Sequence, residues 1–292
     1  MSLAQKCEYA WYERLLNLLS DRDRLRLMAN SGPTQRWVIA LPQSWKNWNL
    51  TSKEWIIAAR RRLGLDVRTM KTRCSSYKFH EIALKGDNAL RCSGKSGTKM
   101  RHDALKVPLA RALKQAGFRV KMEQNGGLLD RRRPSDVEVS NWVLVNNWKD
   151  NTLLSIDVAI IDPTGDTHSD FLRSGGVGAA ATKYQDRKRK HYRDIKAEFS
   201  PFILEAQGGF GIEAKRLVRE LERRSKEKEC VPNMRHPETC QPLGEINLVS
   251  AIGFELGRRN VRMILDRSPE EEPLIPAERT EIRLEMARKK KE

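Results

Sequence analysis

The chain has 292 residues and 39% hydrophobic residues, enough to bury a core in one large or two modest domains. Its net charge of +17 and pI near 9.9 favour a polyanionic partner, with a solubilising surface as the alternative. We find no run of about 18 apolar residues and no secretory-signal core, so neither a transmembrane span nor secretion is expected. Five scattered cysteines favour a reducing compartment over a disulfide framework.

The first third of the chain is predicted to be helical. Apolar residues recur at helical spacing over residues 3–30. Thr51 or Ser52 can cap a second helix that has Glu54 in its first turn and ends at Gly64. Residues 85–98, rich in Gly, Ser and Lys, predict a loop. Four tryptophans favour a packed helical subdomain, with base stacking as the alternative: Trp37, Trp45, Trp48 and Trp55.

An alternation of helices and strands follows. The patterns predict a helix that ends at Gly117, then strands over residues 118–124, 134–145 and 153–161. A Gly-rich linker leads to a basic helix over 178–199, a strand over 200–209 and a charged helix over 211–227. The last strand follows a helical crossover, so it is expected to join the sheet in parallel. A loop over 230–244, one more helix and a basic tail complete the chain.

Two aspartates stand in neighbouring predicted strands. Asp136 begins one strand, and Asp157 interrupts the apolar run LLSIDVAII, where a buried charge needs a partner. A hairpin would bring both carboxylates to one end of the sheet, where a divalent cation such as Mg²⁺ bound between them would offset their repulsion. The alternative is that Asp157 pairs with an arginine or lysine of the core.

The basic helix offers cations to such a site. Lys188 and Tyr192 are four residues apart and share a helix face, and a lysine turned toward the sheet would polarise an attacking water. Lys183 and Lys190 remain alternatives for that lysine. Glu123 and Glu205, each at a strand end, are either further cation ligands or ordinary strand-end charges. The predicted phosphate contacts are Arg131, Arg132, Arg133, Arg187, Arg189 and Lys190.

Taken together, these segments resemble the PD-(D/E)xK, or restriction-endonuclease-like, domain that follows the reverse transcriptase of some non-LTR retrotransposons. The resemblance covers roughly residues 33–225. The motifs that carry it are Arg101-His102-Asp103, Arg133-Pro134-Ser135-Asp136, Ile156-Asp157-Val158, Lys188 to Tyr192 and Phe199 to Gly208. It implies an αβββαβ core with a mixed sheet flanked by helices, an N-terminal helical subdomain, and an endonuclease site of Asp136, Asp157, Lys188, Tyr192 and Glu205.

The chain departs from this family pattern in two places. Ala159 stands where many such nucleases have a lysine, and the family resembled moves that lysine to the following helix, which implies Lys188. In the zinc knuckle that precedes the core, Cys74 and Cys92 remain, but Tyr77 and Asn88 replace the other two ligands. Two thiolates do not make a tetrahedral zinc site, and completion by His80 or His102 is the less favoured alternative.

The sequence contains a second possible metal cluster, formed by Cys230, His236 and Cys240. Its spacing is irregular, so a loop is the simpler interpretation. The expected segments are residues 1–98, helical with the altered knuckle, 99–225, the endonuclease-like core, and 226–292, a loop, helix and tail.

The resemblance implies an Mg²⁺-dependent DNA endonuclease derived from a retroelement and located in the nucleus, with RNA as an alternative partner. Two rival hypotheses are a catalytically inactive nucleic-acid-binding remnant and a structural polyprotein fragment without independent activity.

Overall fold

The computed structural model describes residues 3–34, 49–68, 71–74, 81–92, 94, 97–116, 118–124, 135–140, 154–193, 198–228 and 248–267. The protein is a mixed α/β molecule with more helix than strand. Contacts divide it into two units: residues 1–41 with 99–259, and residues 42–98 with 260–292. Both units draw on separated parts of the chain, whereas the segments expected from the sequence were consecutive.

The N-terminal apolar stripe forms two helices rather than the single predicted one. Helix α1 spans Leu3–Leu18 and α2 spans Asp21–Ala29. The break falls at Ser20, whose side chain accepts a hydrogen bond from the Asp23 amide and caps α2. Local capping therefore overrides the continuous apolar periodicity at this point.

Residues 42–98 with 260–292 contain α3 (Ser52–Arg62), strands β1 (Thr72–Arg73) and β2 (Glu81–Ile82), and α4 (Asp87–Arg91). Thr51 and Glu54 form a reciprocal capping box at the start of α3, as the sequence predicts, and Gly64 beyond its end has a φ of 70°. Helix α4 lies within the predicted loop over 85–98, so that prediction was wrong. Trp55 is 43% exposed and does not fill a core, and the other three tryptophans lie outside the described residues.

A four-stranded mixed sheet organises residues 99–259. Helix α5 (Gly97–Gln115) precedes β3 (Arg119–Gln124), β4 (Ser135–Ser140) and β5 (Leu154–Ile161), and α7 (Ala179–His191) precedes β6 (Glu198–Glu205). The strand order is β3-β4-β5-β6. Strand β4 is antiparallel to both β3 and β5, and β6 runs parallel to β5. The expected parallel pairing after a helical crossover is thereby confirmed.

Helices cover both faces of the sheet, because successive residues of its central strand point to opposite sides. Leu154, Ile156 and Val158 of β5 pack with α5, with α8 (Ile212–Lys228) and with the first part of α9 (Leu248–Arg267). Ala159 and Ile161 face the other way and pack against α7. Asp157 stands two positions before Ala159, so its side chain points to the same side of the sheet, the face covered by α7.

The segment around α7 differs from the sequence-based prediction in two places. The predicted Gly-rich linker contains a short helix, α6 (Ser169–Gly175), and the basic helix ends at His191 rather than continuing to residue 199. The loop predicted over 230–244 and the basic tail lie outside the described residues. In the part of the chain that is described, no helix combines the length and apolar character needed to cross a membrane.

Candidate active site

The candidate site begins with Asp157, in the middle of the central strand β5. Neighbouring strands lie on both sides of β5, and the whole residue is only 7% exposed. A carboxylate in such a place is costly unless a cation compensates its charge. The structure supplies that cation from the helix that covers this face of the sheet.

Lys188 of α7 reaches Asp157 directly. Its Nζ lies 2.9 Å from Oδ2 and 3.2 Å from Oδ1 of the aspartate. The two residues are 31 positions apart in sequence, and the parallel β5–α7–β6 connection brings them together. The alternative reading of Asp157, a pairing with a lysine of the core, therefore describes a contact that is present.

Tyr192 follows Lys188 by four residues, at the C-cap of α7. Its hydroxyl donates a long hydrogen bond of 3.4 Å to Asp157 Oδ1, and its ring packs against Phe199 with centroids 4.5 Å apart. The Lys188 ammonium also lies 5.7 Å from the centroid of the Tyr192 ring. Asp157, Lys188 and Tyr192 thus form a contiguous polar cluster, in the combination that the sequence predicts.

The charge state of Lys188 limits what it can do. Burial works to lower the pKa of its ammonium group, but attraction and hydrogen bonding to Asp157 outweigh burial, and the pKa lies above its ordinary value. Lys188 is therefore a cation at neutral pH. Such a group can orient water or attract phosphate, but it cannot serve as a general base there.

Asp136 lies in β4, the strand beside β5. The pairs Val139↔Leu154, Glu138↔Ser155 and Val137↔Ile156 set the antiparallel register. Continued by one residue, this register places the backbone of Asp136 opposite that of Asp157. The side chain of Asp136 lies outside the described set, so the expected carboxylate pair is supported here by strand register alone.

Glu205 lies elsewhere. In the parallel register Asp157 is opposite Pro201 and Glu205 is opposite Ile161, four residues further along the strand. Four strand residues span about 13 Å, so Glu205 is not beside Asp157. Its carboxylate instead accepts a hydrogen bond of 3.5 Å from the Ala181 amide at the start of α7.

The burial of Glu205 is complete. That burial raises the pKa of its carboxyl above the ordinary value, although backbone amides of Gly178, Ala181 and Ala180 oppose the shift. Gly209 passes so close to this carboxyl that a Cβ there would collide with it. We therefore assign Glu205 to anchoring α7, the helix that carries Lys188.

The basic residues predicted to contact phosphate differ in their surroundings. Arg187 and Lys190 are exposed on α7, as is Lys183. Arg189 is engaged by Glu213 of α8 through two contacts, Nε to Oε1 and Nη2 to Oε2, the latter at 2.6 Å. The remaining three arginines lie outside the described residues: Arg131, Arg132 and Arg133. The side chain of Glu123 also lies outside them.

A second polar group lies near the site, and zinc binding by His102 was the one role that the sequence suggested for its members. The His102 ring on α5 lies 2.9 Å from the backbone oxygen of Val158, next to Asp157 in β5, and 3.1 Å from Asp103 Oδ1. Buried Lys106 completes the group at 2.8 Å from the same aspartate oxygen. The Arg-His-Asp motif signalled these positions, but only the packing of α5 on the sheet shows their contact with β5.

The residues of the altered knuckle are only partly described. Cys74 and Cys92 are buried with their sulfurs 3.6 Å apart. Asn88 does not turn to them, since its amide donates to the Glu81 carbonyl at 3.0 Å. Tyr77, His80 and the cluster Cys230, His236 and Cys240 lie outside the described residues. Within the described ranges, no group of three or more His, Cys, Asp or Glu is arranged to hold a metal ion.

Comparison with known proteins adds no assignment. No protein-family profile matches the chain. No curated protein is similar to it at a significant level.

Proposed function

We propose that the chain is a metal-dependent DNA endonuclease with a restriction-endonuclease-like core, derived from a retroelement and acting in the nucleus. The observation that carries the proposal is the Asp157–Lys188–Tyr192 cluster, with Asp136 at the neighbouring register position. Two strand carboxylates that would hold a cation, with a helix lysine beside them, are groups that can support metal-assisted phosphodiester hydrolysis.

The order of elements supports the finer fold assignment. Helix α5, strands β3, β4 and β5, helix α7 and strand β6 follow one another as in the αβββαβ core, with the short helix α6 inserted before α7. In this arrangement the site falls on the sheet face covered by α7, where exposed Arg187 and Lys190 stand on the same helix. With a chain charge of +17, such a surface favours a nucleic-acid backbone.

The residues present fit a magnesium ion. Mg²⁺ takes oxygen ligands and is commonly held by one or two carboxylates, which Asp157 and Asp136 would provide. Bound there, the ion would offset phosphate charge and make an attacking water more acidic. Lys188 would lie beside Asp157, where its positive charge orients that water or the phosphate, and Tyr192 would hold the Asp157 carboxylate through its hydroxyl.

The proposal is tested by cleavage of supercoiled plasmid in Mg²⁺. Asp157→Asn removes the central carboxylate, and we expect at least about a hundredfold loss of nicking rate, because the cation ligand and the charge partner of Lys188 disappear together. Asp186→Asn, which changes an exposed aspartate of α7, is the matched control and should nick at the wild-type rate. Circular dichroism checks that both variants are folded.

Lysine variants test the assignment of Lys188 against its competitors. Lys188→Met should slow nicking strongly, whereas Lys183→Met should not, since Lys183 is exposed. If Asp157→Asn is folded and cleaves as fast as the wild type, the proposed site is wrong. If Lys183→Met alone abolishes cleavage, the site remains but its lysine has been misassigned.

A second candidate function is nucleic-acid binding without catalysis. It is favoured by one observation: Asp157 and Lys188 already compensate each other as an ion pair, an arrangement that is stable without a metal. A wild-type protein that binds DNA with the expected salt dependence, yet releases no nicked plasmid in Mg²⁺ or Mn²⁺, would support this candidate.

A further inference from the structure

Two buried cysteines lie in contact within residues 42–98 with 260–292. Cys74 is 1% exposed and Cys92 is 4% exposed, and their sulfur atoms are 3.6 Å apart. Cys74 follows β1 and Cys92 follows α4, so elements eighteen residues apart converge to form the pair. This separation is too long for a bond and short enough to need only small side-chain rotations for one.

A fully buried guanidinium lies beside this pair. Arg267, the last residue of α9, has no exposed surface, and its Nη2 donates to the backbone oxygens of Cys92, at 2.9 Å, and Gly94. Its Nε and Nη1 find no oxygen acceptor among the described residues. In the same described part of the chain, no carboxylate forms an ion pair with it, although an arginine cannot lose its proton in a protein.

The Cys92 sulfur interacts electrostatically with this charge. Burial works to raise the pKa of the Cys92 thiol, but the Arg267 guanidinium, the Gly94 amide and the Cys74 thiol together hold that pKa below its ordinary value. A thiolate is the nucleophilic form of cysteine, and here it has a second thiol in contact with it. A lowered pKa and an adjacent thiol are two of the features of a peroxide-sensitive cysteine with its resolving partner.

We propose that Cys92 and Cys74 form an oxidisable dithiol in which Arg267 is the counter-ion of the Cys92 thiolate. Hydrogen peroxide is the oxidant: the Cys92 sulfur attacks one peroxide oxygen, the O–O bond breaks, hydroxide leaves, and Cys92 becomes a sulfenic acid. The Cys74 thiol then attacks that sulfur, the S–O bond breaks, and water leaves as the disulfide forms. One peroxide accepts two electrons from the pair. The small exposed fraction of Cys92 restricts the reaction to reagents close to water in size.

The same geometry disagrees with a zinc site at these cysteines. The Arg267 guanidinium, hydrogen-bonded to the backbone oxygen of Cys92, would place a positive charge close to a divalent cation, and Asn88 is turned to a backbone carbonyl instead. The positive charge beside the dithiol therefore comes from Arg267 and not from a metal ion. Metal content is accordingly part of the test.

The experiment uses the full chain with its other three cysteines, Cys7, Cys230 and Cys240, changed to serine. After hydrogen peroxide treatment and quenching, we expect both remaining thiols to be lost and the mass to fall by two hydrogen atoms, with a Cys74–Cys92 cross-link in the tryptic digest. In Cys74→Ser, dimedone should capture Cys92 as a sulfenic acid. In Cys92→Ser, Cys74 should stay reduced.

Arginine variants separate the counter-ion role from packing. Arg267→Met should slow oxidation by about tenfold or more, because the thiolate loses its positive neighbour. Arg267→Lys, which keeps the charge, should be oxidised faster than Arg267→Met. If Arg267→Met does not fold, Arg267→Lys is the variant that is compared with the wild type. Three outcomes overturn the proposal: one equivalent of zinc in the purified protein, two unreacted thiols at peroxide levels that oxidise a free thiol, or equal oxidation rates in Arg267→Lys and Arg267→Met.

Discussion

At the scale of single residues, the Asp157–Lys188 pair dominates the site. Its side chains are 10% and 23% exposed, so each charge is largely withdrawn from water and depends on the other. Because the pKa of Lys188 is raised in the folded chain, its contribution to stability is complete below the ordinary lysine value of 10.5 and is lost as pH rises through the folded pKa. The pair is thus intact at neutral pH.

Lys188→Met should lower the free energy of unfolding by about 3 kcal/mol, because it leaves Asp157 as a buried charge without this cation. The double variant Asp157→Asn with Lys188→Met should lose less than the sum of the two single losses. Urea unfolding of the four proteins of this cycle measures both quantities. Strictly additive losses would show that the two side chains do not interact.

Glu205 predicts a pH effect of its own. Its folded pKa is raised above the ordinary 4.5, so its contribution favours folding below that value and declines as pH rises through the folded pKa. In Glu205→Gln, the free energy of unfolding should therefore not show the decline with rising pH that Glu205 causes in the wild type. Unfolding free energies between about pH 4 and about pH 8 test the difference. Glu13→Gln, an exposed position on α1, is the control; parallel wild-type and Glu205→Gln profiles would contradict the prediction.

At the scale of elements, helix α7 connects buried Glu205 to the candidate active site. Its first turn donates backbone hydrogen bonds to Glu205, and its last turns carry Lys188 and Tyr192 to Asp157. The helix is therefore held at both ends by carboxylates of the two parallel strands, Glu205 of β6 and Asp157 of β5. Local sequence also acts at this scale, most visibly at the start of α3.

Thr51→Ala should destabilise the chain by about 1 kcal/mol, because the capping box loses the hydroxyl that accepts from the Glu54 amide at 3.2 Å. Ser52→Ala, at the next position, is the matched control, since its hydroxyl is not part of the box. Chemical denaturation followed by circular dichroism measures both. Equal effects of the two substitutions would mean that the cap does not contribute.

At the scale of the whole molecule, the excess of basic residues is the main argument for the proposed nucleic-acid partner. The charge of +17 favours a polyanion through the release of counterions, but individual cations are not equivalent. Arg187 and Lys190 are exposed, whereas the guanidinium of Arg189 is already engaged by Glu213. For the proposed nucleic-acid partner, we therefore expect fewer phosphate contacts than the number of basic residues suggests.

Binding of a short DNA duplex over a series of salt concentrations tests this distinction. Arg187→Gln and Lys190→Gln should each reduce the slope of log affinity against log salt by about 1, since each removes one phosphate contact. Arg189→Gln should change the slope less, because Glu213 already balances that charge. Fluorescence anisotropy gives the slopes, and identical slopes for all three variants would show that α7 does not face the nucleic acid.

The sequence by itself determined the elements and the nature of their charges. Apolar runs and helical patterns located β5, β6 and α7, the Thr51–Glu54 box located the start of α3, and spacing placed Lys188 and Tyr192 on one helix face. These features depend on neighbours a few positions away, which a linear sequence displays directly.

Only the tertiary structure decided which of these groups meet. Lys183 and Lys190 remained alternatives to Lys188 until the packing of α7 on β5 brought the Lys188 ammonium to Asp157. The same packing moved Glu205 from the site to the start of α7. Arg267 meets Cys92 across 175 residues, a contact that no local pattern encodes. Such long-range pairings follow from strand register and helix packing, which depend on the whole core at once.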